Sequence, residues 1–481
     1  MAPSLMAIQP DPPFVSVVGG KATHTEHALG SSLLERDLHQ APDKVVSSSG
    51  LYLTLENGSQ VLDASGGAAV ACIGHGEQRV KKAMMAQMDQ VSYCHSLFFS
   101  SSATETLARE LVQGTRGEMS RAFIVSSGSE AMEAAMKLAR QYFLELSPPQ
   151  PQRVRFIARR ESYHGSTIGA LSVSGHVTRR EFFEPMLLDN ISHVSACNAY
   201  RGMHAGESTE GYVTRLAQEL DEEFVRVGPG RVCAFIAEPV VGAALGCVPA
   251  VAGYFKAMKQ VCERHGALLV LDEVMCGMGR TGSLHAWEQE GIVPDIQTMG
   301  KGLSGGYAPL AAILMKQHVV DALDHGTGSF SHGHTYQGHP VACAAGLETQ
   351  RIVRQDQLLR NVQRMGDYLA TSLRDRLRHH PHVGDIRGRG LFWGIEFVKS
   401  RATKEPFHPD AQIAWAIHTR GMLPPHAISL YPCTGSDGGT KGDHVIISPP
   451  YNVDAAEIDR IVELTVQIIE DVFAKHGDAQ R

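Results

Sequence analysis

An alternation constrains this chain more than any other feature. Short, mostly apolar runs at residues 122–126, 154–158, 232–237, 267–271 and 296–299 are separated by helical patterns at 129–146, 212–225 and 251–265. Runs that are apolar nearly throughout suit strands buried on both faces. Strands alternating with helices point to an α/β layer with a mainly parallel sheet. Ligands of such sheets gather beyond the carboxyl ends of the strands, so chemistry is sought there first.

From about Pro340 the texture changes. Long helices at 341–354 and 358–378, a strand near 391–398, a helix near 411–420, a strand at 445–447 and an amphipathic helix at 453–475 read as a smaller α+β domain. Asn57-Gly58 between alternating runs at 51–55 and 59–63 signals a hairpin, and 30–74 is expected to pack with that second domain. The expected organisation is therefore 1–74 as an N-terminal segment packing with the small domain, 75–340 as the large domain and 341–481 as the C-terminal small domain. A chain of 481 residues is long enough for it. The Pro/Gly/Ser/Asp-rich stretches 147–151 and 434–443 read as surface loops.

Composition narrows the function. A net charge of −7 with no dense Lys/Arg run leaves no footprint for nucleic acid or an anionic membrane surface. The apolar stretches 267–271 and 308–315 fall far short of the roughly 20 residues of a membrane span. Residues 1–20 lack the pattern of a secretory or transit signal, and the closing Asp478-Ala479-Gln480-Arg481 is no retention or peroxisomal signal. Nine cysteines, an odd number with no CxxC pair, favour reduced thiols. The expectation is a cytoplasmic protein acting on a small molecule, with no nucleic acid and no membrane as partner.

Several segments carry possible chemistry. Ser126-Ser127-Gly128-Ser129-Glu130 follows a strand and opens a helix, offering amides and a positive dipole end to a phosphate. The same residues also make an ordinary serine cap with Glu in the first turn. Asp272-Glu273 ends an apolar strand, where burying an unpaired carboxylate costs several kcal/mol. A protonated pyridine nitrogen or an interdomain Arg or Lys would answer it. Lys301 stands between Gly300 and Gly302, which let a flat ligand approach. A lysine desolvated there can form a Schiff base, whereas a surface-loop lysine would do nothing of the kind. Gly302 occupies the position where a phosphate loop needs Ser or Thr.

Residues 277–282 match G-x-G-x-x-G, but deep in the chain, before a short weak helix, and with no acid about 20 residues further on, which argues against a dinucleotide site. His325, His332, His334 and His339 lack the spacing and companions of a metal shell and read as scattered loop histidines.

Taken in order, Ser127-Gly128-Ser129, Tyr163-His164-Gly165, Glu238-Pro239, Asp272-Glu273-Val274, Lys301 and Gly333-His334-Thr335-Tyr336 resemble the class III aminotransferases, pyridoxal-phosphate (PLP) enzymes of fold type I. The resemblance runs from about Gly30 to the C-terminal helix. It implies an α/β fold, a large domain with a mainly parallel central sheet flanked by helices plus a smaller α+β domain. It implies pyridoxal 5'-phosphate as cofactor, with Lys301 holding it as a Schiff base and later moving a proton as general base and acid. Asp272 would keep the pyridine nitrogen protonated. Ser127, Gly128 and Ser129 would take the phosphate, Tyr163 would stack on the ring, Val274 would pack on its other face, and Glu238 would join the site network or make an interdomain ion pair.

His334 and Thr335 would meet the neighbouring subunit's cofactor, which implies a homodimer with shared active sites. Ser65, Gly66 and Gly67, with Tyr93, Phe98 and Phe99, would line the substrate pocket; core packing is the competing reading of Phe98 and Phe99. The implied reaction is ping-pong transamination between an amine or amino acid donor and a keto acid or other carbonyl acceptor. A decarboxylase, racemase or aminomutase on the same scaffold is the alternative.

One departure stands out. Many relatives that use α-amino acids carry an Arg ahead of the C-terminal Pro-Pro, placed to grip a carboxylate bidentately. Residues 421–459, which include Ser448-Pro449-Pro450, contain no Arg. Arg387 and Arg389 could substitute or be structural, so an amine, an ω-amino acid or a larger metabolite is the expected donor.

Overall fold

A computed structural model of the chain describes residues 32–39 and 41–478. The signal readings of residues 1–20 and of Ala479-Gln480-Arg481 lie outside them.

Strand β1 (Val45–Ser49) pairs antiparallel with β2 (Tyr52–Leu55), which pairs with β3 (Gln60–Asp63). Asn57-Gly58 makes the expected turn: Gly58 takes φ +82°, a conformation L side chains rarely adopt, and the Leu55 amide donates to the Ser59 carbonyl at 2.8 Å.

The central sheet has seven strands: β4 (Arg121–Val125), β5 (Arg155–Arg159), β6 (Ile191–Val194), β7 (Val232–Ala237), β8 (Leu268–Asp272), β9 (Ile296–Met299) and β10 (Ala311–Met315). Their spatial order is β4-β10-β9-β8-β7-β5-β6. The β6, β5, β7, β8 and β9 neighbours run parallel, while β10 is antiparallel to both β9 and β4.

All of β7 to β10 is buried. Alternate residues face opposite layers: Leu268 and Val270 join the core under helix α1 (Gly128–Glu145), and Leu269 and Leu271 join that of α2 (Thr209–Val227) and α3 (Tyr254–Arg264). This two-sided burial explains why the strands read as continuous apolar runs.

The C-terminal part adds α4 (Pro340–Gln355), α5 (Leu358–Leu377) and the long α6 (Ala455–Asp478). Its sheet orders β11 (Val383–Arg389), β12 (Phe392–Phe397), β15 (Lys441–Ile447) and β14 (Tyr431–Asp437), all antiparallel; the short β13 (Ile428–Ser429) lies parallel to β3. Leu51, Leu62 and Ala64 share a core with Val445, Ile458 and Ile461.

The expectation of a surface loop at 434–443 is corrected: these residues form the paired ends of β14 and β15, with only a tight turn at Gly438 and Gly439. The glycines that suggested a loop serve the turn. Ser436, Asp443 and His444 are buried because the hairpin packs inward. Residues 147–151 do form an irregular, largely exposed link.

Among the described residues no helix is long and apolar enough to cross a membrane.

Candidate active site

The amino end of α1 lies just past β4. Ser127 caps it, its Oγ accepting from the Glu130 amide at 3.2 Å, while Glu130 Oε2 accepts from the Ser126 amide at 2.9 Å. The cap and the anion site coexist, because capping leaves the Gly128 and Ser129 amides without a helical carbonyl. Glycine is required at this corner: a Cβ on Gly128 would stand 2.8 Å from Val274 Cγ1. Gly165 has φ +136°, and a Cβ there would meet Ser129 Oγ at 2.6 Å. Ser129 Oγ accepts from the Ser166 amide at 3.0 Å and keeps its own proton to donate.

Asp272 closes β8 inside this cluster. Its Oδ1 accepts from the Val274 amide at 3.0 Å and Thr298 Oγ1 at 2.9 Å, and its Oδ2 faces His164 Nδ1 at 2.8 Å. His164 is buried with its Nε2 unpartnered. No Arg or Lys pairs with Asp272 among the described residues, so the interdomain ion pair is not what meets it. Glu273 points elsewhere: it accepts from the Ala286 and Trp287 amides at 2.7 Å each and fastens that turn, and burial pushes its carboxyl up to about 8.

Lys301 follows β9 at the same end of the sheet. Its φ is +42°, a left-handed conformation that costs a non-glycine residue about 1–2 kcal/mol, so the surroundings must hold it. They do so through the Gly302 carbonyl, which accepts from Gln350 Nε2 at 2.9 Å and Cys72 Sγ at 3.4 Å. Burial pulls the Lys301 amine below its ordinary value, against the opposing charges of Asp272 and Glu238.

Glu238 is also buried. Its Oε1 accepts from the Tyr163 amide and its Oε2 from the Gly242 amide, each at 3.1 Å, and desolvation raises its pKa. Its side chain makes no ion pair among the described residues, so it acts as a clamp on Tyr163. Over the Tyr163 ring lies the Arg179 guanidinium, 4.3 Å from the centroid. Tyr431, from the β14–β15 hairpin, lies near Arg179, whose charge opposes the rise that burial gives its phenol.

Other expected residues lie apart. Ser65 Oγ donates to Asp63 Oδ1 at 3.3 Å, and the Ser65 carbonyl accepts from Ser448 Oγ at 2.7 Å, tying the Gly66 turn to the end of β15. Tyr93 Oη donates to the Thr335 carbonyl at 3.0 Å, and its ring sits 6.1 Å from that of Tyr336. Thr335 is exposed and His334 half-buried. Phe98 and Phe99 are 72% and 66% exposed, which excludes core packing within this chain.

The three arginines near the domain junction are structural. Arg387 pairs with Glu396 and Asp385 and donates to the carbonyls of Leu245 and Gly246. Arg389 pairs with Glu290. Arg280, in the glycine run 277–282, donates to the carbonyls of Leu391 and Pro449 and lies over Tyr451. That run joins the two halves of the molecule.

Sequence reasoning missed the roles of His164, Thr298, Arg179 and Tyr431. His164 was visible only as a motif neighbour of Tyr163, since its partner is 108 positions away.

Residues 35–469 match the family described as aminotransferase class-III. An aminotransferase of Gibberella zeae is 57% identical over 88% of this chain and 83% of its own length. An uncharacterized aminotransferase of Schizosaccharomyces pombe is 45% identical over 90% and 94%. The solved structure of a thermostable (S)-enantioselective omega-transaminase from Thermomicrobium roseum superposes with a TM-score of 0.85 at 34% identity, covering 93% of this chain and 97% of that one.

Proposed function

The chain belongs to the class III aminotransferases, and from that premise we propose that it works in the cytosol as a homodimer whose two active sites each borrow residues from the partner copy. The reaction is transamination and the cofactor is PLP. The cluster fits that cofactor: the helix amides at Gly128 and Ser129, packed close to Val274 and Gly165 where no Cβ would fit, and the three-partner hold on Asp272 suit a flat ring bearing a phosphate.

Gly128 and Ser129 would hold the phosphate, Asp272 the ring nitrogen, and Tyr163 and Val274 the ring faces, with Lys301 as the covalent anchor. When bound, PLP supplies an aldehyde for the amine and a ring that draws electron density away from the substrate α-carbon.

The chain's own groups then divide the work. Lys301 Nζ, desolvated and so biased toward its neutral form, takes the proton from the substrate carbon and returns it one position away. His164, fixed against Asp272 Oδ2, keeps that carboxylate aimed. Glu238 holds the Tyr163 backbone in place.

One observation carries the dimer: Tyr93, Thr335 and Phe98 stand exposed together on an edge that a partner would cover. Nine free cysteines, eight of them buried, support a reducing compartment.

The test is complementation. Lys301→Ala and Thr335→Asp chains, each inactive alone, are unfolded together and refolded. Shared sites predict that about a quarter of wild-type activity returns, since half the dimers are mixed and each has one intact site. No recovery in a sample whose mass is that of two chains overturns the proposal.

A further inference from the structure

We infer that Arg179 grips the carboxylate of the substrate, and that this transaminase accordingly takes carboxylated amino donors and keto acid acceptors. The inference rests on the transaminase reading above and deepens it.

Place comes first. Arg179 lies in a short helical turn, Val177–Arg180, and its guanidinium lies 4.3 Å over the ring of Tyr163, whose backbone is clamped by Glu238. Its positive charge adds to burial in holding the Lys301 amine below its ordinary value. The turn is seated against the β14–β15 hairpin: a Cβ on Gly439 would stand 2.4 Å from Val177 Cγ2. His176, pulled down to about 4 by burial and by Arg179 itself, stays neutral and adds no second charge.

The second point is what Arg179 lacks. Among the described residues no carboxylate pairs with it; its neighbours are the Tyr163 ring and the side chains of Tyr431 and Cys433. A half-buried cation without an anion is costly, and a bound carboxylate removes that cost. A planar guanidinium offers two parallel N–H donors that match the two carboxylate oxygens.

Residues 421–459 hold no Arg, and Arg387, Arg389 and Arg280 are committed to carboxylates or carbonyls of the scaffold. Arg159 donates to the Glu238 carbonyl. Arg179, stacked over the Tyr163 ring, carries no ion pair among the described residues.

The experiment compares L-alanine with isopropylamine, the same skeleton with a methyl in place of the carboxylate. Single-turnover half-reactions of wild type, Arg179→Gln and Arg179→Lys are followed by cofactor absorbance, and propionate is tested for protection against thermal unfolding.

In Arg179→Gln the alanine rate constant over its half-saturation should fall about 100-fold, at least tenfold more than the isopropylamine value. Propionate protection should vanish, and Arg179→Lys should recover part of the alanine rate. Equal losses on both amines would make Arg179 only a support for Tyr163 and overturn the inference. So would propionate protection that survives in Arg179→Gln, or a wild type that converts isopropylamine but not alanine. A wild type that converts no amine at all would instead bring down the transaminase reading beneath it.

Discussion

Two parts of this molecule handle polar and aromatic groups in opposite ways. Around Asp272, the carboxylates are buried and tied: Asp272 is 4% exposed, with both oxygens engaged inside one chain. Around Tyr93 the side chains face outward, with Phe98 at 72%, and the one strong tie is the Tyr93 hydroxyl on a backbone carbonyl. The first region finishes its own chemistry. The second presents apolar area of the kind that marks an interaction surface. Proton transfer is therefore a property of a single chain's fold, whereas enclosure of the site would belong to the assembled dimer.

The hardest blow to that contrast falls on the buried side. Lys301→Ala should lower turnover about 10⁴-fold or more, and Asp272→Asn about 10²–10³-fold, with circular dichroism and mass unchanged. Turnover within tenfold of wild type for Lys301→Ala would remove the lysine from the chemistry.

A smaller effect separates holding from reacting. His164→Ala frees Asp272 Oδ2 from its 2.8 Å partner and should lower turnover about 10–100-fold. His164→Asn, whose amide can still donate, should recover much of it. Because the defect lies in aiming Asp272, loss should appear in the rate at saturation rather than in the Michaelis constant. Equal effects of the two variants would mean that the imidazole acts in its own right.

The exposed edge should respond differently. Tyr93→Phe deletes one neutral hydrogen bond, about 1 kcal/mol or about fivefold. The loss should deepen on dilution if the edge is completed by a partner. A concentration-independent loss would tie Tyr93 to its own chain only.

The same division marks what was legible in the sequence. Strands 232–237 and 296–299 and the helix at 358–378 coincide with observed elements to within a residue, because periodic burial writes itself into local pattern. Strand β10 escaped: Ala311–Met315 is antiparallel between β9 and β4, and nothing in a five-residue apolar run tells direction. The hairpin at 431–447 escaped because glycines needed by its turn imitate a loop. Lys301 and Asp272 announced themselves by glycine brackets and strand position, whereas Arg179 is one of two adjacent arginines until the fold lays it over Tyr163. Contacts made across the chain carry no local mark.

The smallest expected effect tests the buried cluster by its cost. Burial lowers the pKa of Lys301 from 10.5 in the folded chain, despite Asp272 and Glu238, so the unfolded chain binds this proton more readily than the folded one. Lysine therefore destabilises the cofactor-free protein, fully at pH values below its folded pKa and less and less as pH rises toward 10.5. Lys301→Met keeps the volume and removes the charge, so cofactor-free Lys301→Met should melt about 1–3 °C above wild type near pH 6. That gap should close as the buffer is made alkaline. Scanning calorimetry from pH 6 to 10 reads it directly. A gap that widens with pH, or a wild type more stable throughout, would mean that Asp272 and Glu238 win over desolvation and that the amine is held charged, which would remove the basis for calling Lys301 a ready base.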